Sequence, residues 1–302
     1  MQSGIPDNFL SNLVLCLAAR KGMVINMKKI GFIDYYLDEW HANNYPEFFK
    51  KAVGNEMKVC YAWGETEMPG NMTNAEWAEK NNVELLKSEE EVIEKSDYIV
   101  VLAPDNPETH VRLTEKALKS GKPVYVDKTF AATKKEAEMI FENAEKHGTP
   151  CYSASALYFS DELGKIDAKG IVRINSIGNG NIRQYAVHQA EQIVTLMGSD
   201  VNRVMFLGEN VCPSVLLEFK GGRYAQITHY TNVDFKLDIG YDDGTLASVN
   251  IESDYFGNFI SAMSEFFRSA KIPIEHKHTI AVIGITEGIC KAVERPFEWI
   301  DI

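Results

Sequence analysis

From residue 28 the chain alternates short apolar runs with longer amphipathic stretches. Lys-Lys-Ile-Gly-Phe-Ile at 28–33 reads as a strand, and aromatic-rich helical material follows over 39–53. Further strands are predicted at 57–62, 83–86 and 98–103, and helices over 74–81, 89–95 and 110–120, with Asn74 expected to cap the helix it opens. The run at 98–103, Tyr-Ile-Val-Val-Leu-Ala, is apolar throughout, as a strand covered on both faces should be. The stretch 121–133 organises the first half: a strand over 123–126 stops on Asp127 and Lys128, and Thr133 caps a helix rich in Lys, Glu and Ala. Alternation of this kind as far as 148 predicts a doubly wound parallel sheet, Rossmann-type, with helices on both faces and right-handed crossovers.

From 149 the texture changes. A short strand over 150–153 and a helix over 160–167 lead into alternating segments at 171–177, 203–207, 215–219, 224–230, 235–241 and 246–251. Gly221-Gly222 and Asp243-Gly244 are hairpin signals between them, 191–197 is a helical interruption, and 256–269 and 278–293 are closing helices. The expectation is a second, α+β domain on a largely antiparallel sheet over 149–302, after a dinucleotide-binding type of domain over 27–148. Val215, Leu217 and Phe219 are read as part of an open apolar sheet face.

Composition narrows the partners more than the fold. The net charge of -12 argues against a nucleic-acid backbone or an anionic membrane as the main partner. No apolar run approaches the roughly 20 residues that span a bilayer. The cysteines at 16, 60, 151, 212 and 290 are scattered and odd in number, so no disulfide framework is implied and a reducing, cytoplasmic setting is expected. No His, Cys or carboxylate cluster has metal-ligand spacing. Residues 1–26 include an apolar stretch, but Asp7 precedes it and Arg20 and Lys21 follow, the reverse of a secretory leader. They are read as an extension outside the fold, with an amphipathic docking helix as the alternative.

Ligands of open α/β sheets bind at the carboxyl edge of the strands, where Asp127 and Lys128 would stand. A dinucleotide there needs glycines in the turn after Ile33, so that backbone amides can approach the pyrophosphate. That turn reads Asp34-Tyr35-Tyr36-Leu37-Asp38-Glu39-Trp40-His41, with Gly31 inside the strand as the nearest glycine. Asp34, Asp38 and Glu39 add negative charge where a dianion would sit. After the second strand come Trp63, Gly64 and Glu65, and Glu65 is the nearest candidate for an acid on a ribose diol. Gly178-Asn179-Gly180 is read as a loop.

These segments, together with Ala103-Pro104-Asp105-Asn106-Pro107-Glu108-Thr109-His110, resemble the Gfo/Idh/MocA family from Met27 onward. Its members are relatives of glucose-fructose oxidoreductase and inositol dehydrogenase that use NAD or NADP. The family's Glu-Lys-Pro at the end of the fifth strand stands here as Asp127-Lys128-Thr129, so an ordinary trans peptide is expected after Lys128. The resemblance implies a cofactor edge made by Gly31, Asp34, Tyr35, Trp63, Glu65, Ala103, Pro104, Asn106, Asp127 and Lys128. His110 also matches, although a flanking role beside the next helix suits it better.

The family's Asp-x-x-x-His-x-x-Asp helix corresponds to Gln184, His188 and Glu191, which share one helical face. On this reading His188 is the acid or base, Lys128 the electrostatic partner and proton relay, and Gln184 or Glu191 an orienting group. The implied activity is NAD(P)-dependent oxidation of a sugar, cyclitol or related polyol. A ligand-binding or regulatory protein that keeps the fold without the redox reaction is the alternative, and glycoside cleavage through transient oxidation a third. Sheet faces of relatives pair between subunits, so a homodimer or a dimer of dimers is expected.

Overall fold

A computed structural model describes residues 27–209 and 211–302, so the extension expected over 1–26 lies outside the described residues. The first sheet is wholly parallel: β1 (Lys28–Asp34), β2 (Met57–Gly64), β3 (Glu84–Leu85), β4 (Tyr98–Val101), β5 (Val124–Val126) and β6 (Cys151–Tyr152). Their order, 3-2-1-4-5-6, reverses direction between β1 and β4, which opens a crevice at the carboxyl ends of β1 and β4. Its helices are α1 (Trp40–Val53), α2 (Asn74–Asn81), α3 (Glu89–Lys95), α4 (His110–Thr114) and α5 (Lys134–Lys146).

Two local readings change. Thr73, not Asn74, caps α2: its hydroxyl accepts from the Glu76 amide while Glu76 accepts from the Thr73 amide. Asn74 is buried instead, accepting from Leu37 N and donating to the carbonyls of Gly64 and Thr66, so it ties the turn after β1 to the end of β2. The helix expected over 110–120 stops at Thr114, whose hydroxyl bonds back to the His110 carbonyl, and turns of 3-10 helix flank it at Pro107–Thr109 and Ala117–Lys119.

The second sheet contains β7 (Ile171–Gly178), β8 (Val201–Phe206), β9 (Ser214–Phe219), β10 (Arg223–His229), β11 (Lys236–Tyr241), β12 (Leu246–Asn250) and β13 (Trp299–Asp301), in the order 12-11-7-10-9-8-13. All its pairings are antiparallel except β7 with β10. β13 was not expected, being only three residues long. In place of a helix over 160–167 there are short 3-10 turns at Ala156–Phe159 and Leu163–Lys165.

One face of this sheet is covered by α6 (Ile182–Met197) and α8 (His276–Val293), and that face carries Val215, Leu217 and Phe219, each fully buried. The open face is therefore the other one, where β9 and β10 present Ser214, Leu216, Glu218, Tyr224 and Gln226. Strict alternation along β9 put the apolar set on the helix side, so the apolar surface on which the pairing expectation rested is core.

The halves are not separate in space. β6 extends the first sheet past the 148/149 division drawn from sequence, and α7 (Tyr255–Ser269) returns to pack on the first sheet beside α1. Phe267 stacks on Tyr98 with ring centroids 4.8 Å apart, and Phe259 touches the rings of Tyr45, Tyr125 and Phe159. Among the described residues no helix is long and apolar enough to cross a membrane. Phe259→Ala is expected to cost about 3–5 kcal/mol in denaturant unfolding. A cost below 1 kcal/mol would contradict the packing of α7 on the first sheet.

Candidate active site

The crevice at the carboxyl edge holds a cavity of about 280 Å³, close to the lower end of the roughly 300–1,000 Å³ usual for small-molecule sites. Lys128, His41, His188, Glu39, Asp105 and Ser155 supply its polar lining. Trp40 and Phe256, with ring centroids 5.1 Å apart, and Tyr185, Phe235 and Tyr255 supply aromatic walls.

Lys128 and His41 on the first-sheet side are both bonded to Asp127, which is fully buried. Its Oδ1 accepts from Tyr125 Oη at 3.1 Å and from the Lys128 amide at 2.9 Å, and its Oδ2 pairs with Nδ1 of His41 in the first turn of α1. Burial pushes the Asp127 carboxyl up. His41 and Lys128 more than offset this, and it ends below its ordinary value. An ionised carboxylate accepts the Nδ1 proton of His41 and so fixes the orientation of that ring. The Lys128–Thr129 peptide is cis, not the trans bond expected without proline.

The second half supplies His188 from α6, where Asn181 caps the helix by accepting from the Arg183 amide. His188 Nδ1 lies 2.7 Å from Ser155 Oγ, and the ring sits edge-on to Tyr185 and Phe235. Burial first, and then the positive charge of Lys128, push the His188 imidazole down to about 3, so the ring is neutral at physiological pH. Glu191 lies one turn further along the same face but does not line the cavity. It accepts from the Ser155 amide at 3.2 Å and stands 2.8 Å from His278 Nε2, so it steadies Ser155 and, through it, His188. Gln184 lines a neighbouring hollow with Arg183, Asp105 and Cys290. The shared helical face does not bring Gln184, His188 and Glu191 into one pocket.

Of the residues expected to form a cofactor edge, Pro104 and Lys128 line the cavity and Asp127 supports it. Gly31 does not reach the edge: a side chain there would meet Ser96 and Val92 of α3 at 2.2 and 2.5 Å, so this glycine serves helix packing inside the sheet. Glu65 is paired with Arg112, whose guanidinium lies 5.6 Å from the Tyr35 ring, and Tyr35 and Trp63 pack together against the core under α3 and α4. Ala103 holds a φ of 90° where β4 ends, and Asn106 accepts from Thr109 and donates to Glu108 in the following turn. His110 is buried, bridging the carbonyls of Leu102 and Phe130, a structural tie between the two loops of the edge.

The turn after β1 decides how a dinucleotide would fit. Counted from Asp34 at the end of β1, the glycine spacing of a dinucleotide turn falls on Asp34, Tyr36 and Glu39. Glu39 caps α1, accepting from His41 N at 2.6 Å and from Ala42 N, while its carbonyl takes Asn43 N at 3.0 Å. These first-turn amides are the ones a diphosphate would use. Burial pushes the Glu39 carboxyl up to about 7, and burial together with Glu39 raises that of Asp34 well above its ordinary value. Pro104, Lys128 and His188 line open cavity. The diphosphate side does not fit while Glu39 holds the amides.

Ser155, His41 and the capping role of Glu39 were not read from sequence. His41 stands in the chain directly after Trp40, but its partner is 86 residues away, and nothing in either segment marks the pairing. The depressed His188 basicity has a measurable consequence. Between about pH 3 and the ordinary value of about 6.5 the unfolded chain takes up a proton that the folded one does not, so stability falls as pH drops through that window. NMR titration of the His188 ring is expected to show it neutral at pH 5; a midpoint near 6.5 would contradict the burial described.

Comparison with known proteins bears on the fold and on part of the sequence. A family model described as oxidoreductase family, NAD-binding Rossmann fold, of the Gfo/Idh/MocA group, matches residues 67–155. No curated protein matches the sequence. Among solved structures, a probable dehydrogenase from Thermotoga maritima is similar with a TM-score of 0.74 at 14% identity, covering 90% of this chain and 98% of that one. A scyllo-inositol dehydrogenase from Lactobacillus casei with bound NAD(H) and scyllo-inositol gives 0.73 at 14% identity, covering 91% and 99%. A UDP-N-acetylglucosamine 3-dehydrogenase from Acidithiobacillus ferrooxidans gives 0.71 at 12% identity, covering 89% and 98%. The resemblance read from the sequence is thus to a family whose model this chain matches over 67–155, and whose dehydrogenase fold it shares over about nine-tenths of its length.

Proposed function

We propose that the cleft is the active site of a nicotinamide-dependent oxidoreductase acting on a sugar, cyclitol or related polyol. The observation that carries this reading is an ammonium, Lys128, and a neutral imidazole, His188, facing one small aromatic-walled cavity at the carboxyl edge of the sheet. Oxidising a secondary alcohol requires that its hydroxyl proton leave as hydride departs from carbon. NAD or NADP, when bound, supplies the hydride acceptor. Lys128 stabilises the negative charge that grows on the substrate oxygen. His188, steadied by Ser155, orients the hydroxyl by hydrogen bonding and is too weak a base to hold its proton for long. His41, whose Nδ1 proton Asp127 holds, takes the proton. The aromatic walls accept the apolar faces of a ring while its hydroxyls reach the polar groups.

A second reading has an observation of its own. Glu39 holds the first-turn amides, and the family match begins at residue 67, beyond that turn. The cleft would then bind a small polyol without hydride transfer. Calorimetric binding of a polyol in the absence of any cofactor, with no nicotinamide turnover across a panel of sugars and cyclitols, would favour it. On the first reading, one or more members of that panel reduce NAD or NADP. Lys128→Ala then loses at least a hundredfold in turnover, on the order of the electrostatic terms measured in other enzymes, while its circular dichroism is unchanged. Turnover of the variant equal to wild type would remove Lys128 from the chemistry.

A further inference from the structure

We propose that Glu39 is an internal competitor for the diphosphate of a nicotinamide dinucleotide, holding with its own carboxylate the α1 amides that the diphosphate needs. The inference rests on the reading of the cleft as a nicotinamide site, and adds the residue that sets the affinity of that site.

The argument is one of occupancy and charge. A helix N-terminus offers a small number of free amides, and they are what draws a phosphate to it. In α1 the amides of His41 and Ala42 are bonded to the Glu39 carboxylate and that of Asn43 to the Glu39 carbonyl. The side chain is a buried carboxyl group in the place where a ligand's phosphate would be received, and it lines the cavity from that position. A second observation points the same way. Asp34, the position of the first glycine in a dinucleotide turn, is fully buried, and its Oδ2 has no hydrogen-bond partner among the described residues. The edge therefore meets a ligand diphosphate with one carboxylate in its seat and a second carboxyl beneath it. Binding requires the Glu39 side chain to rotate off the amides, so part of the interaction energy goes into replacing one acceptor by another.

The backbone does not depend on the glutamate. Glu39 has φ -130° and ψ 170°, extended geometry that any residue adopts. Glycine and serine both serve well at an N-cap, so either can replace it without unmaking the helix. The test is calorimetric titration of wild type, Glu39→Gly and Glu39→Ser with NAD, NADH, NADP and NADPH, after circular dichroism and thermal melts confirm that the variants fold. The expected result is that both variants bind one cofactor pair at least tenfold more tightly than wild type. Equal affinity in all the proteins would overturn the proposal and leave the nicotinamide reading standing. No binding of any of the four cofactors to any of them would overturn both.

Discussion

A single buried carboxylate holds the site together. Asp127 directly follows β5, and its two oxygens are divided between the sheet and α1: Tyr125 and the Lys128 amide on one, His41 on the other. A charge with no solvent exposure is tolerated only because each oxygen finds a donor and because a cationic or protonatable partner stands beside it. Removing either member of such a pair costs about 3–5 kcal/mol, since the other is left buried and uncompensated. The same bonds set the direction in which Lys128 leaves the strand and the register of the first turn of α1. The cavity's polar lining on this side follows from that arrangement.

The acids around Asp127 are kept in different charge states. Asp127 is held ionised by His41 and Lys128, while Asp34 and Glu39, more poorly compensated, are pushed toward the protonated form. Three ionised carboxylates side by side under the sheet edge would repel each other; one ionised and two readily protonated do not. The sign for Glu39 is opposite to that for His188. With its carboxyl up at about 7, the folded chain keeps a proton that the unfolded chain releases, so this group destabilises the fold as pH rises from about 4.5 to about 7.

How much of this was legible depended on the range of the interaction. The parallel sheet followed from strand and helix alternation, because hydrophobic period is a local property, and the carboxyl-edge placement of Asp127 and Lys128 followed from where the strand runs out. His188 and Glu191 were legible as one helical face, but which of them meets the cavity depended on Ser155, placed by the turn after β6 and invisible in the pattern around either residue. The pairing of His41 with Asp127 and the return of α7 onto the first sheet are long-range contacts that no local spacing encodes. Glu39 was readable as an unwelcome charge in a phosphate turn. Its role as a cap needed the helix to be seen starting one residue later. For β9 the alternation was plain, but the side that the helices cover is a choice of packing, and the apolar residues went inward.

The claim on which the rest depends is that a small polyhydroxylated ligand sits between Lys128 and His188. A crystal structure of the chain grown with NADH and scyllo-inositol tests it most directly. The account predicts polyol density in the cleft, with a ring hydroxyl within hydrogen-bond distance of both Lys128 Nζ and His188 Nε2. Polyol bound elsewhere, or a cleft that holds only water at saturating ligand, would contradict it.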